Sequence, residues 1–160
     1  MNAESSYKLI PFTLSHVESL RSFFSNHSEI SQWAGPNFRY PHTTQTFLED
    51  LRYQELSSYS LINDSGELLA FGQYYQRLIH CHLGRLVVNP QLRGLGLAKV
   101  LIKELSIIGQ KDLCLSSLSL FVLDNNKPAK NLYKTLGFKE KSYPEELPLN
   151  NFLYLIRENL

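Results

Sequence analysis

Leu86-Val87-Val88-Asn89-Pro90-Gln91-Leu92-Arg93-Gly94-Leu95-Gly96-Leu97-Ala98-Lys99 reads as the end of a strand, a turn rich in small residues and the start of a long helix. Leu97, Val100, Leu101, Leu105 and Ile108 recur at the helical period, which predicts a helix from about Gly94 to Ile108. The first amides of such a helix have no partner within it, and its dipole adds partial positive charge there, so the turn is a natural anion site. Gly94, Gly96 and Ala98 carry little side chain, and an extended phosphate has room against their backbone. Arg93 and Lys99 supply opposite charge. The same glycines would equally serve a turn that only lets a helix pack close to a strand.

Three phosphate-binding patterns compete for this turn. A P-loop needs G-x-x-x-x-G-K-[ST], which is not met. A dinucleotide fingerprint, G-x-G-x-x-G/A, fails because Lys99 stands third after Gly94 and Gly96, and the preceding strands arrive as a hairpin meander. The remaining pattern, R/Q-x-x-G-x-G/A, is met by Arg93, Gly96 and Ala98.

Working outward, the elements alternate in type. Tyr7 to Phe12 reads as a strand, and Ser15 with Glu18 has the spacing of a capping box before Val17, Leu20 and Phe24. Two prolines, a glycine and three aromatics between Trp33 and Pro41 break regular structure. Thr44 to Leu56 fits a second helix. Ser58 to Asn63, Leu68 to Gln76 and Ile79 to Val88 form a meander, turned first by Asp64-Ser65-Gly66. Beyond the long helix come a strand from Ser117 to Leu123 and a helix with Pro128 in its first turn and Gly137 as its stop. Phe138 to Tyr143 and Phe152 to Arg157 close the chain as strands. This order predicts an α/β (α+β) fold.

A second motif joins the first. Asn126-Lys127-Pro128-Ala129-Lys130-Asn131-Leu132-Tyr133-Lys134-Thr135-Leu136-Gly137-Phe138 meets N-x-x-A-x-x-L-Y-x-x-x-G-F in full. With L-x-V-x-P at Leu86, Val88 and Pro90, and R-x-x-G-x-A beyond, the chain resembles the GNAT superfamily of N-acetyltransferases. The resemblance implies one mixed, mostly antiparallel sheet of six to seven strands flanked by about four helices, with a splayed parallel strand pair over Leu83 to Val88 and Ser117 to Leu123.

The resemblance also implies acetyl-CoA as co-substrate and an amine as acceptor. The backbone of Leu86, Val87 and Val88 would pair with the pantetheine arm like an added strand, and an N–H near Val88 would stabilise the thioester carbonyl. The amides of Arg93, Gly94, Leu95, Gly96, Leu97, Ala98 and Lys99 would take the pyrophosphate, and Asn126 would contact the pantetheine. Tyr133 would be the general acid to the departing thiolate, although the same ring also fits a core position on the Ala129–Leu136 face. Where some relatives place a glutamate base, this chain has Phe121. His80 and His82 share one face of their strand and are the available replacements. Without a base, an acyl-CoA-binding sensor that no longer turns over is the rival reading.

The acceptor side should lie between the first helices and the closing strands. Trp33, Phe38, Arg39 and Tyr40 crowd one segment there and would make either a substrate wall or a hydrophobic plug. Of Tyr74 and Tyr75, one should face the cleft. His80-Cys81-His82 is a poor metal site because neighbouring strand residues point to opposite faces, and no metal is expected.

Composition agrees with an ordinary enzyme-sized unit. The chain of 160 residues is 43% hydrophobic, enough for a core in one domain over residues 1–160. Sixteen basic against fifteen acidic residues leave a net charge of +1, with no broad footprint for nucleic acid or an anionic membrane. Cys81 and Cys114 match no paired spacing and read as two buried thiols of a reducing compartment. The expectation is a cytoplasmic monomer or homodimer with no signal peptide or membrane span.

Overall fold

The computed structural model describes residues 6–158, and within them the elements alternate much as the hydrophobic pattern requires. They are β1 (Lys8–Pro11), α1 (Val17–Ser22), α2 (His27–Ala34), α3 (Thr44–Leu51), β2 (Ser57–Ile62), β3 (Leu68–Arg77), β4 (His80–Val88), α4 (Leu97–Leu113), β5 (Leu118–Leu123), α5 (Lys127–Thr135), β6 (Lys139–Lys141) and β7 (Phe152–Arg157). The seven strands make one mixed sheet in the order β1-β2-β3-β4-β5-β7-β6, in which only β4 and β5 run parallel. Among the described residues, no helix is long and apolar enough to cross a membrane.

The sheet is covered on both faces. Tyr74, Cys81, Leu83, Leu118, Leu120 and Val122 meet α4 and α5 through Ile102, Leu105, Ala129 and Leu132. On the other face Phe71 and Val87 pack under Leu20, Ile30, Phe47 and Leu51 of the first three helices. α4 lies very close to its strands: a Cβ on Gly109 would stand 2.8 Å from Cys81 Sγ and 3.0 Å from Tyr74 Cγ.

Two interruptions of the ladder shape the site. β4 and β5 pair only at Cys81–Leu118 and His82–Ser119 and then part, while β5 stays paired to β7 along its whole length. β4 also bulges against β3. Phe71 pairs with Val87 and Gln73 with Gly84, so Arg85 and Leu86 together oppose Gly72. Arg85 is the residue that turns, with φ at 48°.

Several local expectations change. There are five helices among the described residues, because α2 occupies His27–Ala34 and carries Trp33 in its last turn. Only Ile30 of α2 is fully buried, with Trp33 and Ala34 packed beside it at i+3 and i+4, an apolar set too short to announce a helix by itself. Its caps announce it instead: Asn26 Oδ1 accepts from Glu29 N at 2.9 Å, and Glu29 Oε2 accepts from Ser25 N at 2.7 Å. Ser15 and Glu18 form no capping box. Ser15 bonds Thr13 inside a 3₁₀ turn, and Glu18 accepts from Arg21 within α1 and from Thr44 across to α3. The capping box is on α3, between Thr43 and Thr46. α3 stops at Leu51 because Arg52 is left-handed, at φ 54°. α4 starts later and runs longer than its period suggests, Leu97–Leu113. Cys81 is buried, whereas Cys114 is exposed at the left-handed end of α4; neither is in a disulfide.

Candidate active site

Where β4 and β5 separate, a cleft of about 940 Å³ opens between the two covered halves of the sheet. Leu86 and Val87 of β4, Arg93 of the glycine turn, and Asn126 and Tyr133 of α5 line one part of it. Trp33, Tyr75, Arg77, His82, Arg85 and Phe121 line another. Residues drawn from two separate sequence motifs therefore meet around one space.

The turn itself is built by backbone conformation. Gly94 and Gly96 have φ of 82° and 80°, and no atom lies within 4 Å of the Cβ that either lacks. Their need is for left-handed backbone rather than for space. Leu97 is buried and anchors the helix start, while Arg93, Gly94, Leu95, Gly96 and Lys99 are exposed. The amides of Leu97, Ala98 and Lys99 have no acceptor within α4, since the ladder begins with Val100 N donating to Gly96 O at 3.3 Å. Val88, Gly94 and the residues from Leu95 to Lys99 do not line the cleft, which the turn enters through Arg93 alone.

α5 brings Asn126 and Tyr133 to the opposite wall. Asn126 is the N-cap, its Oδ1 accepting from Ala129 N at 3.3 Å. Tyr133 rests edge-on against Phe138 at 6.0 Å, and its hydroxyl has no hydrogen-bond partner among the described residues. Burial pushes the phenol up to about 12, so it holds its proton throughout the physiological range.

The vertex of the splay carries His82. It is 2% exposed, and its Nδ1 is hydrogen-bonded to Ser119 Oγ at 2.8 Å. Burial, helped by the Arg77 and His80 charges, depresses it to about 3, which keeps the ring neutral and makes it a weak base. His80 bonds Ser117 and does not reach the cleft. Phe121 sits 4.8 Å from the His82 ring and 5.6 Å from the parallel ring of Phe152. Among the described residues, no three His, Cys, Asp or Glu side chains are grouped to hold a metal ion.

The aromatic segment divides. Trp33 packs 4.4 Å from Phe24, stacks over Phe47 and still lines the cleft, and its Nε1 donates to Arg85 O at 2.8 Å. Phe38 is 3% exposed and belongs to the core. Tyr40 donates to Ser25 O at 3.0 Å, away from the cleft. Arg39 is outside as well, held by Glu49 and Asp50. Tyr75 faces the cleft, and Tyr74 points to α4, donating to Asp112 at 2.8 Å.

Sequence reasoning missed Arg77 and Arg85. The signal was present in Arg85, a charge that interrupts the apolar run Leu83-Gly84-Arg85-Leu86-Val87-Val88. Arg77 sits two residues beyond Tyr75 on the same strand, which puts both on one face.

Comparison with known proteins agrees with this geometry. The sequence matches the acetyltransferase (GNAT) family over residues 27–138. It is 40% identical over 75 residues to an uncharacterized N-acetyltransferase of Schizosaccharomyces pombe, a match that covers 47% of this chain and 45% of that protein, so less than half of the relative's length is spanned. The fold superposes on the spermidine N-acetyltransferase of Vibrio cholerae, solved with CoA and spermine, with a TM-score of 0.73 at 18% identity, covering 96% of this chain and 95% of that one. It superposes on the PaiA N-acetyltransferase of Thermoplasma acidophilum, solved with coenzyme A, with a TM-score of 0.71 at 16% identity, covering 96% and 99%.

Proposed function

Since this chain belongs to the acetyltransferase (GNAT) family, we propose that it is a cytosolic acyltransferase that moves acetyl from acetyl-CoA to the nitrogen of an amine. The observation that carries the reading is the shared cleft, in which the open edge of β4, the turn at Arg93 and the hydroxyl-bearing face of α5 converge.

The residues present fit the coenzyme. β4 from Leu83 onward has no partner on its β5 side, so its backbone can take an extended arm as an added strand. The open glycine turn offers three amides and Arg93 to a pyrophosphate. When bound, acetyl-CoA supplies a thioester, and a C–N bond to the amine forms as the C–S bond breaks.

Tyr133 keeps its proton on Oη until negative charge builds on sulfur and then gives it up, and the proton lost by nitrogen restores the phenol. His82, neutral and tied to Ser119, shapes the vertex rather than abstracting that proton. Phe121 and Phe152 keep water from one side of the space.

The test is release of free CoA thiol from acetyl-CoA across a panel of primary amines. Turnover with at least one class is expected. Acetyl-CoA binding without release from any amine would replace the enzyme with a binding module.

A further inference from the structure

The cleft has a pronounced charge asymmetry that the acyl-transfer reading does not use. Its lining includes Arg52, Arg77, Arg85 and Arg93 but only one carboxylate, Glu29. Glu29 is spent on the cap of α2, and Arg52 is paired with Glu55 at 2.7 Å. Arg93 belongs to the coenzyme turn. That leaves Arg77 and Arg85.

Neither of these has a carboxylate within ion-pair distance among the described residues. Arg77 is half-buried, with Nη1 donating to Tyr143 Oη and Nη2 to Tyr75 Oη, each at 3.0 Å. Its Nε is buried with no acceptor. The guanidinium lies 4.9 Å over the Phe121 ring and 5.5 Å from Tyr75, a placement that fixes the fork against two aromatic faces.

Arg85 projects from the bulge. Nη1 donates to Leu51 O at 2.8 Å and to Gln73 Oε1 at 3.3 Å, and the guanidinium stands 5.6 Å from the Phe38 ring. Asp50 is the acid whose charge reaches it, and Asp50 is already gripped by Arg39. Tyr75 accepts from Arg77 at its hydroxyl, and both arginines line the same cleft.

A cation withdrawn from water without a counter-ion costs stability, and an anion placed against the Arg77 fork would offset that cost. Guanidinium forks fixed by aromatic contacts match a planar carboxylate. Around them Trp33, Phe121 and Phe152 leave apolar wall for a side chain. A polyamine would bring further positive charge to this wall. We propose that Arg77 holds the carboxylate of the acceptor, with Arg85 adding positive charge to the same cleft, so that the acceptor is a small amino-acid-type amine rather than a polyamine. This rests on the acyltransferase reading. The nitrogen of the acceptor gives up one proton and gains the acetyl group, while the carboxylate is unchanged.

The experiment compares acceptors that share one amine. Free amino acids (alanine, methionine, phenylalanine, glutamate) are set against their carboxamides, their decarboxylated amines, their aminophosphonic counterparts and spermidine, with CoA release as the readout. The acids should exceed the amides in kcat/KM by about tenfold or more, because a site built for a polar group rejects the analogue that lacks it. Arg77→Gln should collapse the acid-to-amide ratio toward one, and Arg77→Lys should restore part of it. Amides or spermidine equal to the acids would overturn the proposal, as would phosphonates better than carboxylates. If no amine is turned over, the acyltransferase reading fails first. Calorimetry of N-acetyl amino acids against their N-acetyl amides then decides the charge site: tighter binding of the acids, lost in Arg77→Gln, supports it, and equal binding removes it.

Discussion

His82 Nδ1 and Ser119 Oγ lie 2.8 Å apart across the last residue pair that joins β4 to β5 before the strands separate. This hydrogen bond is the pin of the cleft, and both residues are fully buried. It also sets a pH dependence. His82 is held near 3 in the folded protein, against an ordinary histidine value of 6.5. Below about pH 6.5 the unfolded chain takes up a proton that the folded chain refuses, so the His82 contribution is complete above that pH and is lost progressively down to about pH 3. The slope tends to roughly 1.4 kcal/mol per pH unit within that window. His42 and His80 are depressed as well and act in the same direction. Urea midpoints of wild type and His82→Asn between pH 7 and 4.5 isolate the share of His82, and parallel curves would remove it.

Tyr133→Phe removes one hydroxyl that has no protein partner, so stability should change by less than about 1 kcal/mol. The loss should fall on kcat, on the order of 10²-fold, with the KM for acetyl-CoA little altered. With the phenol at about 12, the wild-type kcat profile should show no alkaline fall up to pH 10. A kcat within about twofold of wild type would take Tyr133 out of the proton path.

Gly96 allows charge to be separated from shape. Its φ of 80° suits Asn and Asp better than other side chains, and nothing stands within 4 Å of the added Cβ. Gly96→Asn should keep most acetyl-CoA affinity. Gly96→Asp, of nearly the same shape, puts an anion beside the amides of Leu97 to Lys99 and should weaken binding by about tenfold more. Calorimetry at two salt concentrations checks this, and equal dissociation constants for the two variants would move the pyrophosphate elsewhere.

Gly109→Ala tests how tightly α4 is seated. The new methyl would meet Cys81 Sγ at 2.8 Å, and the expected cost is about 1–3 kcal/mol. Cys81→Ala in the same chain opens that space, so the double variant should lose less than the sum of the singles by about 0.5 kcal/mol or more. Strict additivity in thermal denaturation would mean that the contact relaxes elsewhere.

The half of the cleft assigned here to the coenzyme was legible because its parts are local. Arg93, Gly94 and Gly96 make a turn whose backbone demands show in residue type, and Asn126 to Phe138 compress a cap, a helix face and a stop into one run. The half proposed for the acceptor was not, because it is assembled over long separations. Trp33 reaches Arg85 across 52 residues, and Arg77 reaches Tyr143 across 66. Phe38 and Trp33 are close in sequence and equally aromatic, yet one is core and the other cleft. α2 separates their fates, and its one short apolar set, Ile30, Trp33 and Ala34, is too brief to announce it.

The bulge at Arg85 resets the alternation of β4. Leu83 and Leu86 are three positions apart and would point to opposite faces of a regular strand, yet both pack on the α4 side, while Val87, next in line, packs under the first three helices. One strand thus holds two reading frames joined by a single inserted residue. Deleting that residue would exchange inside and outside for everything on one side of it, whereas substitutions upstream leave the downstream frame untouched. β4 is therefore a modular part: its first half is free to be rewritten for a different acceptor without rewriting the half proposed to meet the coenzyme.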